Sequence, residues 1–322
     1  MADQFRVLLT DRAWPDFRLE RDILKQINAA VIEAPDHDEP TLVDLARDVD
    51  AIGACWAQVT ESVIQAAPRC RTVARFGIGL DNIAVATATR LGIPVTNVPD
   101  YCVEEVSDHA LALLLACARK VAFFHLRTKY GEYNLQQGPP LRRLAGQTLG
   151  LVGLGRIAKS LVPKARALGL NVIAHTRSSN PHQTGCQMVS FDDLLGRSDY
   201  ISLHLPLSDA SHHRFGTPEF QKMKRTAYLI NTSRGPLIDH NALFEALEQN
   251  LIAGAALDVF EPEPPDLGHP LYQHERVIVT PHVAFLSEES LIALRTAATQ
   301  QIADVLQGNR PRNVVNPEIY SN

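Results

Sequence analysis

The sequence predicts an α/β protein built from two parallel-sheet units, and three observations carry that prediction. Over the first hundred residues, short apolar, β-rich runs alternate with helical patterns. A second series of six such runs begins at residue 148, opened by a glycine turn between a strand and a helix. Near the end a long helical pattern, "SEESLIALRTAATQQIADVLQG", is placed to carry the chain back to the first unit. Strands alternating with helices give a parallel sheet covered by helices, and six in series suit a doubly wound nucleotide fold.

Strands of the first unit are expected at "FRVLLT", "AAVIEA", "AIGACWA", "TVARFG" and "PVTNV", with "LERDILKQIN" as its first helix. After "NVPDYC" the stretch "VEEVSDHALALLLACARKVAFFHL" reads as one long helix, with an acidic first turn and too much apolar surface for an exposed position. Residues 125–147 are polar and interrupted by Pro and Gly, and read as an extended arm. Strands of the second unit follow at "TLGLVG", "NVIAHT", "YISLHLPL", "AYLINTS", "IAGAALDV" and "VIVTPHV". Two such units joined by helical crossings are expected to leave a ligand cleft.

A length of 322 residues accommodates two domains, and 45% hydrophobic with 21% charged residues is an ordinary globular balance. The formal net charge of -5 advertises no basic face, so neither nucleic acid nor a membrane surface is expected as a partner. Cys55, Cys70, Cys102, Cys117 and Cys186 are far apart and form no C-x-x-C pair, so they read as buried thiols in a reducing compartment and no metal centre is expected. The start "MADQFRVLLTDRAW" lacks a signal-peptide pattern, which makes a cytoplasmic location the expectation.

In "TLGLVGLGRIAKSL", Gly153, Gly155 and Ala158 fall in the pattern G-x-G-x-x-A, between a strand and a helix. Gly153 permits the tight turn, Gly155 lets the backbone approach a pyrophosphate, and the small Ala158 lets the helix pack on the sheet. About 20 residues on, such a fold places a carboxylate on the ribose hydroxyls of NAD. Here the strand ends instead in Thr176, Arg177 and Ser178. Two hydroxyls and a guanidinium suit a 2′-phosphate, so NADP is the expected cofactor, with NAD as the alternative.

Three later strand ends carry the polar groups that reduction of a 2-oxo acid requires: "NTSRGPLI" with Arg234, "LDVFEPEP" with Asp258 and Glu263, and "TPHVAF" with His282. Arg234 is suited to grip a carboxylate bidentately, and His282 to deliver a proton to the carbonyl oxygen. Glu263, if hydrogen-bonded to the imidazole, would hold its orientation.

Together these segments resemble the D-isomer-specific 2-hydroxyacid dehydrogenase family, over nearly the whole chain. "RFGIGLDNI" and "LGIPVTNVP" resemble its substrate-domain signatures, "LGLVGLGRIA" its glycine turn, "SLHLPLS" its fourth-strand region, and "NTSRGPLID", "ALDVFEPEP" and "TPHVAF" its catalytic segments. The resemblance implies two Rossmann-like doubly wound parallel-sheet domains: a discontinuous substrate domain of residues 1–100 and 287–322, and an inserted dinucleotide-binding domain of residues 101–286. It implies Arg234, Glu263 and His282 as the catalytic set. Cofactor contacts are implied at Gly153, Gly155, Arg156 and Ile157, at Thr176, Arg177 and Ser178, and at His204, Pro206 and Thr232, with Asp258 on the nicotinamide carboxamide. Ile78 and Gly79 would offer N–H groups to the substrate, a small 2-oxo or 2-hydroxy acid such as glyoxylate or hydroxypyruvate, with Tyr101 and Phe285 near it. A homodimer through the nucleotide domain is implied, using an arm at roughly 120–147. Ala284 and Phe285 stand where many members have two glycines. That departure, with "NVPDYCVEEVSDHA", also resembles the C-terminal-binding-protein branch, so a nucleotide-sensing corepressor is the alternative.

Overall fold

A computed structural model describes residues 4–321. The chain divides into two compact units, one made of the described residues through Tyr101 together with those from Ser287 onward, the other of Cys102–Leu286.

The first unit holds β1 (Phe5–Leu9), β2 (Ala29–Glu33), β3 (Ala51–Ala54), β4 (Val73–Arg75) and β5 (Val95–Thr96) in the order β2-β1-β3-β4-β5, with every paired neighbour parallel. Both faces are covered, which is why the strands read as continuous apolar runs rather than as an alternation. The helix Glu288–Leu306 belongs to this unit, and its Leu294, Ala298 and Ile302 join Val7, Leu9, Trp14 and Phe76 in one buried cluster. Its N-cap Ser287 accepts from the Ser290 N–H, fixing where the helix starts.

The second unit holds β6 (Thr148–Val152), β7 (Asn171–His175), β8 (Gln187–Met188), β9 (Tyr200–Leu203), β10 (Tyr228–Asn231), β11 (Gly254–Leu257) and β12 (Val277–Val279), in the order β12-β11-β10-β9-β6-β7-β8. The chain winds outward from β6 to β8, then restarts at β9 on the other side. The point of reversal, at the carboxyl ends of β6 and β9, is where such sheets open a crevice. Strand β8 is an addition to the six expected; it is two residues long and half-exposed, so it leaves no apolar run to read.

Pairing aligns the last residues of six strands. His175, Val152, Leu203, Asn231, Leu257 and Val279 are successive partners across the sheet. The next residue in each strand, namely Thr176, Gly153, His204, Thr232, Asp258 and Thr280, therefore lies along one edge.

The single long helix expected after "NVPDYC" is two helices, Val103–Arg119 and Val121–Lys129, bent by 65°. Lys120 makes the break: its φ of 57° is left-handed, its N–H caps the first helix on the Ala116 carbonyl, and its ammonium lies 3.8 Å from the centre of the Tyr228 ring. A left-handed residue ends a helix whatever the apolar pattern beyond it. The segment read as an arm thus begins with helix, up to Lys129.

Candidate active site

The glycine turn follows directly from β6. Gly153 has a φ of +95°, and its N–H donates to the His175 carbonyl at 2.9 Å. A methyl group there would fall 2.2 Å from the His204 carbonyl oxygen, so both backbone angle and space require glycine. Gly155 is the N-cap of the helix Arg156–Ala167, and the space beside its Cα is open. Ala158 is fully buried in the sheet–helix core. An open helix start of this kind offers N–H groups and a positive dipole end to phosphate. Arg156 is exposed and Ile157 half-buried at that start.

Further along the same edge, Thr176 is half-buried while Arg177 and Ser178 are exposed, with the Thr176 and Ser178 hydroxyls 3.5 Å apart. His204 bonds the Ser202 hydroxyl through Nε2 at 3.0 Å, and burial pushes its pKa down to about 4, which leaves the ring neutral. Pro206 is exposed in the loop beyond. The Thr232 hydroxyl is buried with no hydrogen-bond partner among the described residues. Such a group normally has a partner. An orphaned hydroxyl and an open helix start on one strand edge fit a dinucleotide laid along it.

The candidate acid–base pair sits three and four strands away from the glycine turn, Glu263 after β11 and His282 after β12. His282 Nδ1 and Glu263 Oε2 are 2.8 Å apart, and Glu263 Oε1 accepts the Phe260 N–H at 2.8 Å. Burial pushes the Glu263 carboxyl up, but the His282 hydrogen bond and charge, the Phe260 N–H and the nearby Arg234 outweigh it and hold the carboxyl below its ordinary value. His282 itself has a φ of 52°, uncommon for a residue with a side chain, in a tight turn closed by its N–H on the Thr280 carbonyl. The Phe285 ring meets the imidazole edge to face, with centroids 6.0 Å apart.

Arg234 is placed by its neighbours. Buried Asn231 donates to the Arg234 carbonyl at 2.7 Å and accepts the Ser233 N–H at 3.0 Å, which shapes the turn after β10. Gly235 then packs so tightly on Phe260 that a methyl group would lie 1.8 Å from that carbonyl oxygen. The Arg234 and Glu263 segments are held together by this backbone contact.

Asp258 is fully enclosed, and its carboxylate holds the histidine loop. It accepts from the Thr280 hydroxyl at 2.5 Å, the Val283 N–H at 3.0 Å and the Ala284 N–H at 2.9 Å. His109, on the helix Val103–Arg119, places Nε2 3.0 Å from the Thr280 hydroxyl and 3.5 Å from Asp258. Asn231, Thr280 and His109 lie within the expected strands and helix, yet nothing in the sequence marks them, because each acts through partners that only the fold supplies. Substituting His109 by Ala is expected to lower kcat about 10- to 100-fold by loosening the histidine loop, with little change in melting temperature. Steady-state kinetics beside a thermal melt checks this; an unchanged kcat would mean that Asp258 alone suffices.

In the first unit, Ile78 and Gly79 follow β4, where the Ile78 carbonyl accepts from the Asn97 amide at 2.8 Å. Tyr101 packs on the cluster around Trp14 and Phe76.

A doubly wound sheet with a glycine turn in its middle and acid–base chemistry at the same edge defines a nicotinamide-dependent oxidoreductase. Comparison with known proteins narrows the class. The family described as "D-isomer specific 2-hydroxyacid dehydrogenase, NAD binding domain" matches residues 111–284. A glyoxylate reductase of Aeropyrum pernix is 39% identical over 292 residues, 87% of this chain and 86% of the relative. Among solved structures, a glyoxylate reductase from Paecilomyes thermophila superposes with a TM-score of 0.90 at 28% identity, covering 99% of this chain and 100% of that one. A D-lactate dehydrogenase from Aquifex aeolicus, complexed with NAD and lactic acid, gives 0.88 at 26% identity, over 96% of this chain and 99% of that one. The chain belongs to the D-isomer-specific 2-hydroxyacid dehydrogenase family.

Proposed function

We propose that this oxidoreductase reduces a small 2-oxo acid of the glyoxylate or hydroxypyruvate kind, with NADPH as the preferred donor. The observation that carries the reading is the His282–Glu263 pair at 2.8 Å, beside Arg234 on the edge that bears the glycine turn. Bound nicotinamide would supply the hydride. Arg234 grips the substrate carboxylate and polarises its carbonyl. His282 delivers the proton from Nε2, on the ring edge opposite the nitrogen that Glu263 holds, and Glu263 balances the charge of the imidazolium. Gly153, Gly155, Arg156 and Ile157 are assigned to the pyrophosphate, Thr176, Arg177 and Ser178 to the 2′-phosphate, and His204, Pro206 and Thr232 to the remainder of the cofactor. We assign Asp258 first to holding the histidine loop, since its oxygens are spent there. Phe285, and in the first unit Ile78, Gly79 and Tyr101, are assigned to the substrate on the family resemblance. Assay of a panel of 2-oxo acids by loss of reduced-nicotinamide absorbance, with each donor in turn, tests the reading; no turnover on any member would sink it. The relatives reported above are reductases or dehydrogenases, which favours catalysis over the corepressor alternative.

The cofactor preference has its own test. Arg177→Ala removes one charge-assisted bond to the 2′-phosphate, worth about 1.5 to 3 kcal/mol, and should weaken NADPH binding very roughly ten- to a hundredfold. NADH binding should be unchanged. Titration of both nucleotides decides it, and equal losses would refute the assignment.

A homodimer completes the proposal. Val121, Leu126, Tyr130, Tyr133, Leu135 and Leu141 are all exposed in a single unit's surface, with Tyr133 at 89%. So much apolar surface in one short segment suits an interface. Tyr133→Asp with Leu135→Asp is expected to convert a dimer to a monomer in sedimentation equilibrium. A parent that sediments as a monomer would end the idea. A cytoplasmic setting is also proposed, because all five cysteines are buried free thiols.

A further inference from the structure

Apart from the catalytic set, the second unit brings His212, His213 and Glu261 together, with one ligand atom of each within 4.8 Å of the others. His213 Nε2 lies 2.9 Å from Glu261 Oε2, and His212 Nε2 lies 3.5 Å from Glu261 Oε1. We propose that this trio binds one divalent transition-metal ion, Zn2+ being the type case, at a site separate from the reaction centre. This proposal departs from the expectation of no metal centre. Glu261 lies 48 residues from His213, so no sequence spacing could show the group.

Adjacent side chains in an extended chain point to opposite sides. Here the chain turns at His213, whose φ is 47°, and the two rings stack with centroids 4.0 Å apart and 26° between their planes. Both Nε2 edges consequently reach one carboxylate, each from a different oxygen. A tetrahedral zinc site with bonds of about 2.0 to 2.1 Å separates its ligand atoms by about 3.3 Å. The His213 separation of 2.9 Å and the His212 separation of 3.5 Å lie near that value, each on its own carboxylate oxygen, and ligand atoms within 4.8 Å of one another need only small side-chain rotations to close on one ion. Two imidazoles with one carboxylate favour zinc, nickel or copper over calcium or magnesium. Both histidines are exposed, so an ion has a path in and water can complete its coordination.

The location gives the site its interest. The histidines lie in the loop after β9 and Glu261 in the loop after β11, while the His213 N–H donates to Pro236 O at 2.7 Å in the loop between them. That middle loop carries Arg234, and Glu261 stands two residues before Glu263. An ion here ties the outer loops across the middle one and braces the segment that holds His282.

Equilibrium dialysis of the full, tag-free chain against Zn2+ is the test, with thermal melts as a second readout. One ion per chain is expected, accompanied by a rise in melting temperature. His213→Ala and Glu261→Gln are each expected to bind at least about tenfold more weakly, since even partners outside the first coordination shell are worth that much. Without metal both variants should melt close to the parent, because His213 is exposed and Glu261 is only half-buried. His282→Ala should retain the ion. Equal affinity in the parent and His213→Ala, loss of the ion in His282→Ala, or no binding by the parent would each overturn the proposal.

Discussion

Substituting His282 by Ala is expected to lower kcat about 10²- to 10⁴-fold, the range that a positioned general acid supplies. Affinity for the nucleotide should be unchanged, since the imidazole is held by Glu263 and its proposed role is toward the substrate carbonyl. The left-handed backbone at His282 sharpens the expectation, because it aims the ring through a conformation that few side chains adopt unless the surroundings impose it. Three bonds from Asp258 to the loop are what impose it here. Pre-steady-state hydride transfer together with nucleotide titration separates the two effects. Turnover that survives the substitution would remove His282 from the chemistry and leave Glu263 without its assigned purpose.

Gly235→Ala is the second large effect, and it acts through packing. The added methyl would meet the Phe260 carbonyl oxygen at 1.8 Å and its carbonyl carbon at 2.0 Å, both backbone atoms that cannot rotate aside. A destabilisation of at least about 3 kcal/mol is expected, at the upper end of what overpacking costs. Activity should fall beyond what the unfolded fraction explains, because the strain separates the Arg234 turn from the Glu263 loop. Chemical denaturation of the variant gives the first quantity, and turnover per folded molecule the second. A variant that melts with the parent would show that the two segments do not approach so closely.

Much of the architecture was legible because parallel strands buried on both faces read as apolar runs. Eleven of the twelve strands stand where such runs predicted them. Strand β8 and the break at Lys120 were not, each for a physical reason. A two-residue edge strand has no pattern, and a left-handed lysine inside an apolar stretch carries no signal like that of glycine. Arg234, Glu263 and His282, the residues assigned to the chemistry, could be singled out because a guanidinium, an acid and a base each follow a legible strand. Those acting at second hand could not, and His109 shows why: its partner Thr280 is 171 residues away.

The alignment of the six strand ends has a broader consequence. Along the chain, the intervals between the glycine turn, Arg234, Glu263 and His282 are set by helices and loops of arbitrary length. Across the edge, neighbouring strands stand about 4.8 Å apart regardless. The sheet thus works as a ruler laid crosswise to the sequence. Insertions in the helical crossings should leave its marks in place, whereas one residue added or lost inside β10 or β11 would shift a mark by a full step and turn every side chain beyond it to the opposite face.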